Sequence, residues 1–138
     1  MYMTLLTLLH AYGDAGALVL RLAVGLIFIR HGVQKWQLWK ATPSPSMPPR
    51  LLMTLRLLSL FEPAGGIAVT LGLLTQIAAF GLGLIMLGAL YFKIRVWKIK
   101  FIATDTTGWE FDLVLLAAAI VLTLAGGGAW ALDRLLGM

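Results

Sequence analysis

The sequence contains no cysteine. That excludes disulfides, thiol relays, iron–sulfur clusters and thiolate-bound zinc, so redox chemistry has to run on a bound cofactor or through a partner protein. Charge is also scarce: 12% of the 138 residues are charged and 60% are hydrophobic, too little polarity to clothe a soluble domain. No charged residue lies between Pro63 and Phe92, or between Leu113 and Leu132. There are two histidines, His10 and His31. They fall at different depths, with His10 outside the first apolar span, and are not expected to share a haem iron. No metal centre, flavin site, phosphate loop or nucleophile–base triad is suggested by any motif. No basic residue precedes the first apolar run, so a cleavable signal peptide is not expected. The net charge of +5 is distributed as membrane topology would require, and nucleic acid is not an expected partner.

What is present is a set of apolar stretches long enough to cross a bilayer, which needs about 20 residues each. The pattern predicts an all-α integral membrane bundle of four transmembrane helices, a single domain over residues 1–138. The spans run over about 15–38, 51–74, 77–96 and 109–128. Pro43, Pro45, Pro48 and Pro49 break the chain between the first two. The polar stretch from Lys98 to Gly108 separates the last two. Thr75-Gln76 is the one polar break after Glu62, and a tight turn is expected there. Without it the second and third spans would make one helix of roughly 60 Å, about twice the hydrocarbon thickness.

Basic residues are lopsided. Arg30, Lys35, Lys40, Arg50, Arg56, Lys93, Arg95, Lys98 and Lys100 fall toward one face, Arg21 and Arg134 toward the other. Basic loops stay cytoplasmic, so both termini are expected outside a bacterial cytoplasmic membrane. Trp36, Trp39, Trp97 and Trp109 fall near the basic face, where an interfacial aromatic belt belongs.

Glu62 sits near the middle of its span. A charge at that depth costs about 3 kcal/mol on insertion scales, so it needs a partner, a proton or a role. On the first helix Arg21, Gly25, Phe28, Gly32 and Lys35 share a face, with His31 at its edge. Depths counted along the helices suggest two tiers: Glu62 with Arg30 or His31, and nearer the basic side Lys35 and Arg56 with Glu110 and Asp112. Pro63 lacks an N–H and should free the carbonyl of Ser59 beside the carboxylate. Charges so placed can simply hold the bundle in register, and that alternative stands beside any catalytic one.

Leu20-Arg21-Leu22-Ala23-Val24-Gly25-Leu26-Ile27-Phe28, His31-Gly32, Lys35, Phe61-Glu62-Pro63-Ala64-Gly65-Gly66, Leu71-Gly72-Leu73-Leu74-Thr75 and Gly108-Trp109-Glu110-Phe111-Asp112-Leu113 resemble, in order and spacing, the DoxX family of four-helix membrane proteins. The resemblance extends to the glycine run 126–128 and Leu132-Asp133-Arg134. It implies a four-helix bundle and a link to the membrane subunit of thiosulfate:quinone oxidoreductase or to other membrane redox complexes. The chain departs from the family pattern in its proline-rich stretch 43–49 and at Gln76.

A quinone-linked redox subunit is therefore the leading expectation. Glu62, His31, Lys35 and Glu110 would be its catalytic candidates, and Arg21, Arg30, Phe28 and Trp36 its cofactor-binding candidates. Such a subunit would sit in the lipid bilayer, in a homo- or hetero-oligomer, and would draw electrons from a partner subunit. The alternatives are a non-enzymatic scaffold that docks a soluble or membrane partner on its basic face, and an oligomeric transporter. Whether the chain is itself an enzyme is left open by these residues.

Overall fold

A computed structural model of the protein describes residues 12–138; His10 lies outside that range. Helix α1 covers Gly13–Gln34 and tightens into a 3-10 turn over Lys35–Trp39. Helix α2 covers Pro49–Leu71. Pro49 opens it because its fixed φ suits the first helical position and the missing N–H is not needed there. Helix α3 covers Thr75–Tyr91 and widens into a π turn over Phe92–Val96. Helix α4 covers Trp109–Ala125, with Glu110 and Asp112 in its first turn, where the helix dipole favours negative charge. A short helix, α5, covers Leu132–Leu135. Among the described residues β pairing is confined to one bridge, Ser44 with Met47 in the proline-rich loop.

Three segments are long and apolar enough to cross a membrane: Gly13–Trp39 with 27 residues, Pro49–Leu71 with 23 and Thr75–Val96 with 22. Helix α4 is shorter, at 17 residues, or about 25 Å at 1.5 Å per residue. Gly126, with φ +76°, ends it short of residue 128, where the sequence pattern puts the end of the span. The turn between α2 and α3 also differs from expectation. It falls at residues 72–74, not at Thr75-Gln76, and Thr75 already begins α3. Gly72 has φ +72° and ends α2 in a left-handed cap. Both carboxylate oxygens of Asp133 then accept the first amides of the next helix, Leu74 N at 2.6 Å and Thr75 N at 2.8 Å. A residue 58 positions downstream fixes this boundary, beyond the reach of any local pattern.

Helix α1 packs chiefly on α2, and α3 chiefly on α4. The first pair is set by glycine. A Cβ on Gly25 would lie 2.0 Å from Thr70 Oγ1 and 2.6 Å from the Gly66 carbonyl, so the two backbones touch at this crossing. Val24, Phe28, Val69, Leu82, Met86, Leu115 and Leu122 join the pairs in one core. The surface is turned inside out relative to a soluble protein. Leu26, Phe61, Ile77, Phe80, Val114 and Leu124 point outward, whereas Arg21, Glu62 and Asp112 are buried. That distribution suits a hydrocarbon solvent, in which apolar side chains lose nothing by exposure and charges must find one another.

Candidate functional site

Pro63 shapes the neighbourhood of Glu62. Its missing N–H leaves the Ser59 carbonyl without a helical donor, and the Trp36 indole N–H donates to that carbonyl at 2.8 Å. Trp39 Nε1 donates to Ser59 Oγ at 2.9 Å, and this hydroxyl donates to the Arg56 carbonyl at 2.6 Å. The Pro63 ring packs against Gly32, where a Cβ would come within 2.2 Å of it. Two tryptophans and a glycine of the first segment thus pack around Pro63 and Ser59 of α2, on the side where Glu62 meets Lys35.

Lys35 Nζ forms an ion pair with Glu62 Oε2 and also donates to the His31 carbonyl at 3.4 Å. Glu62 is almost fully buried, and the Lys35 side chain is 23% exposed. A second ion pair, Lys93 Nζ to Asp112 Oδ2 at 2.5 Å, joins α3 to α4. Lys93 also donates to the Thr107 carbonyl at 3.1 Å. The His31 ring stacks on Phe111, with ring centres 5.8 Å apart.

Both ion pairs and His31 line one cavity of about 440 Å³. Leu51, Leu55 and Leu58 of α2 form one wall; Ile85, Met86, Ala89, Phe92 and Trp97 of the third segment form the other. Its margin is open where Thr54, Gly88 and Phe92 are exposed. The cavity is therefore a greasy cleft with two cations, two carboxylates and an imidazole gathered at one end. Those groups can donate to and accept from a carbonyl-bearing ring and can exchange protons.

The structure redistributes several of the expected site residues. His31, Lys35 and Glu62 do come together. Arg30 does not join them: it is exposed, and Glu62 is paired with Lys35. The two expected tiers do not hold. Arg56 donates to the carbonyls of Leu38 at 3.1 Å and Ala41 at 2.8 Å and lies over the Trp39 ring, tying down the proline-rich loop without pairing to an acid. Glu110 stands outside the cleft lining, and its carboxylate folds back over Gly108 at the start of its own helix. Phe28 is completely buried in the core and Trp36 caps Ser59; neither lines the cleft. The added members are Asp112 and Lys93. Lys93 lies seven residues, two helical turns, after buried Met86, so helical phase could have placed it on the inner face.

Arg21 belongs to the other end of the bundle, about 21 Å along α1 from Lys35 at 1.5 Å per residue. It is 1% exposed and donates to the Trp130 carbonyl at 3.3 Å. Asp14 Oδ1 accepts Ala129 N at 2.7 Å, and Asp133 caps α3 as described. These contacts latch the segment after α4 onto α1 and the start of α3. Burial acts to raise the Asp133 carboxyl pKa. The Thr75 hydroxyl, the Thr75 and Leu74 amides and the nearby Arg21 guanidinium outweigh it and hold the group below the usual carboxylate value.

The sequence model of the family described as DoxX matches residues 16–95. An uncharacterized membrane protein of Mycobacterium tuberculosis is 34% identical over 138 aligned positions, covering 92% of this chain and 85% of that protein. A Bacillus subtilis protein named "Putative oxidoreductase CatD" is 32% identical over 124 positions, covering 87% of this chain and 86% of its own length. No solved structure matches the chain.

Proposed function

Because the chain belongs to the DoxX family, we propose that it is the quinone-linked membrane subunit of an oxidoreductase, with the quinone ring seated in the cleft beside Lys35 and Glu62. The observation that carries this reading is the convergence of two partly buried ion pairs and a histidine on one largely apolar cavity of about 440 Å³. The name of the Bacillus relative agrees with redox chemistry. A bound quinone supplies two-electron, two-proton carrier chemistry, with electrons delivered by a partner subunit.

The chain's own residues would bind and protonate. Lys35 and His31 are placed to donate to one ring oxygen, and Lys93 to another. Glu62 and Asp112 are the carboxyl groups that would release or take up a proton at those positions, each ion-paired with a lysine. Leu51, Leu55, Leu58, Ile85 and Phe92 keep bulk water from the ring. Lys93, Arg95, Lys98 and Lys100 lie at the same end. On the positive-inside rule that end is cytoplasmic, α4 is the fourth crossing, both termini face outward and the membrane is the bacterial cytoplasmic one. The basic run also offers a docking face for an electron-donating partner.

The test is quinone binding by the purified protein in nanodiscs. Addition of a short-chain quinone should raise the unfolding temperature and quench tryptophan fluorescence, since Trp97 lines the cleft. Neither effect should survive Lys35→Met. Wild-type protein that shows neither, yet co-purifies in fixed ratio with a partner, would establish the docking scaffold instead.

A further inference from the structure

The cleft does not end at its charged head. Leu58 and Ile85 line it and also line a second cavity, of about 340 Å³, that continues between α2 and α3 toward their connecting turn. The lining of this second cavity is wholly apolar: besides the two shared residues it is formed by Phe61, Ala64, Gly65, Ile77, Ala78, Gly81 and Leu82. The two cavities lie end to end along the α2–α3 seam, polar at one end and greasy along the rest. The head is balanced in charge, with Lys35 against Glu62 and Lys93 against Asp112. Such a balanced set has no surplus cation for a phosphate headgroup and suits a neutral one.

We propose that the groove between α2 and α3 is the seat of the quinone's isoprenoid tail, and that it selects for tail length up to two isoprene units. The inference rests on the quinone reading of the cleft. From Leu58 to Gly65 the groove runs about 10 Å at 1.5 Å per residue. Two isoprene units, eight chain bonds of about 1.5 Å drawn out in zigzag, match roughly that length. Gly81 gives the groove its depth: a Cβ there meets nothing within 4 Å. A side chain at this position starts into open space on the groove side. Units beyond the second would emerge past Ile77, 70% exposed, into lipid, where they gain nothing from the protein.

The experiment measures binding of one benzoquinone ring carrying zero, one, two or four isoprene units, to wild type, Gly81→Phe and Ala64→Phe in identical nanodiscs. Comparing variants at a fixed quinone cancels partitioning of the tail into the bilayer. The wild-type advantage over both variants should grow to about fivefold at two units, from the dispersion contacts of ten added carbon atoms, and stay there at four. The tail-free ring should bind all three proteins equally. Equal tail dependence in wild type and in whichever variant folds overturns the tail site while leaving the ring site intact. Failure of every quinone, tail-free included, to bind overturns the ring site itself. A photoreactive phospholipid chain that cross-links to the groove residues and resists displacement by the two-unit quinone would identify the groove as a lipid site and overturn the proposal.

Discussion

Replacement of Glu62 by glutamine separates its two roles. The side chain keeps its shape and loses its charge, so Lys35 is left as a cation with no acid beside it. Removing one partner of a buried pair costs about 3–5 kcal/mol. Lys35 retains 23% exposure and its bond to the His31 carbonyl, and solvent screening brings the loss below that range, to about 2–3 kcal/mol. For a chain of this size that is a fall of roughly 8 to 12 °C in unfolding temperature. Adding Lys35→Met removes the stranded charge and should restore most of the stability, because a buried pair and an apolar substitute are near equal in energy. Quinone binding should behave differently. Hydrogen bonds to charged groups are worth about 1.5–3 kcal/mol, so the double variant should still bind the ring about 10- to 100-fold more weakly than wild type. Unfolding followed by tryptophan fluorescence, alongside a quinone titration, reads both quantities. Recovery of stability and binding together in the double variant would reduce the pair to a structural tie. An unchanged Glu62→Gln would refute the pairing altogether. Arg30→Gln, at an exposed position, should change neither by more than about 0.5 kcal/mol.

Other consequences are as direct. Gly25→Leu should prevent folding, because even its Cβ would lie 2.0 Å from Thr70 Oγ1; Gly81→Ala and Gly88→Ala, whose Cβ atoms meet nothing within 4 Å, should leave expression and melting unchanged. Trp36→Phe should cost about 1 kcal/mol by leaving the Ser59 carbonyl without its donor. The same change in a Pro63→Ala background should cost less, since the restored amide takes over that carbonyl, and a double-mutant cycle on melting reads the difference. Asp133 has its pKa depressed in the fold. Its stabilising contribution is therefore complete above the unfolded value of about 3.9 and is lost as pH falls below it through the folded value. Melting curves from pH 6 to 3 should show an acid decline that Asp133→Asn removes, at the expense of lower stability at pH 6.

Much of the helical frame was legible because one rule dominates in hydrocarbon: a backbone crossing it must be helical and its surface apolar. The inward face of α1 was legible too, because Arg21, Gly25, Phe28, Gly32 and Lys35 recur at helical spacing and four of them are buried in the fold while Lys35 is partly so. The choice of Arg30 as a partner for Glu62 failed for a physical reason. It matched depth and ignored phase: at 100° per residue Arg30 points about 140° away from Lys35, outward. A lysine stem is long enough to cross the few ångströms of depth that separated the supposed tiers. Contacts between distant segments were out of reach. Nothing near Thr75 announces that Asp133 will cap its helix, and nothing near Asp112 announces Lys93. The π turn that begins at Phe92 carries no sequence signature strong enough to read. The Ser59 carbonyl was foreseen as free; that Trp36 would take it depends on how the 3-10 turn after α1 lies against α2.

The central claim is that charge gathered beside Glu62 makes a seat for a quinone ring in the cleft between α2 and α3. A photoreactive short-chain quinone, cross-linked in nanodiscs and mapped by mass spectrometry, tests it most directly. Labels should fall within residues 51–62 and 85–97, be displaced by excess quinone and be lost in Lys35→Met. Labels concentrated instead at the opposite end, around residues 126–134, or labels that excess quinone fails to displace, would contradict it.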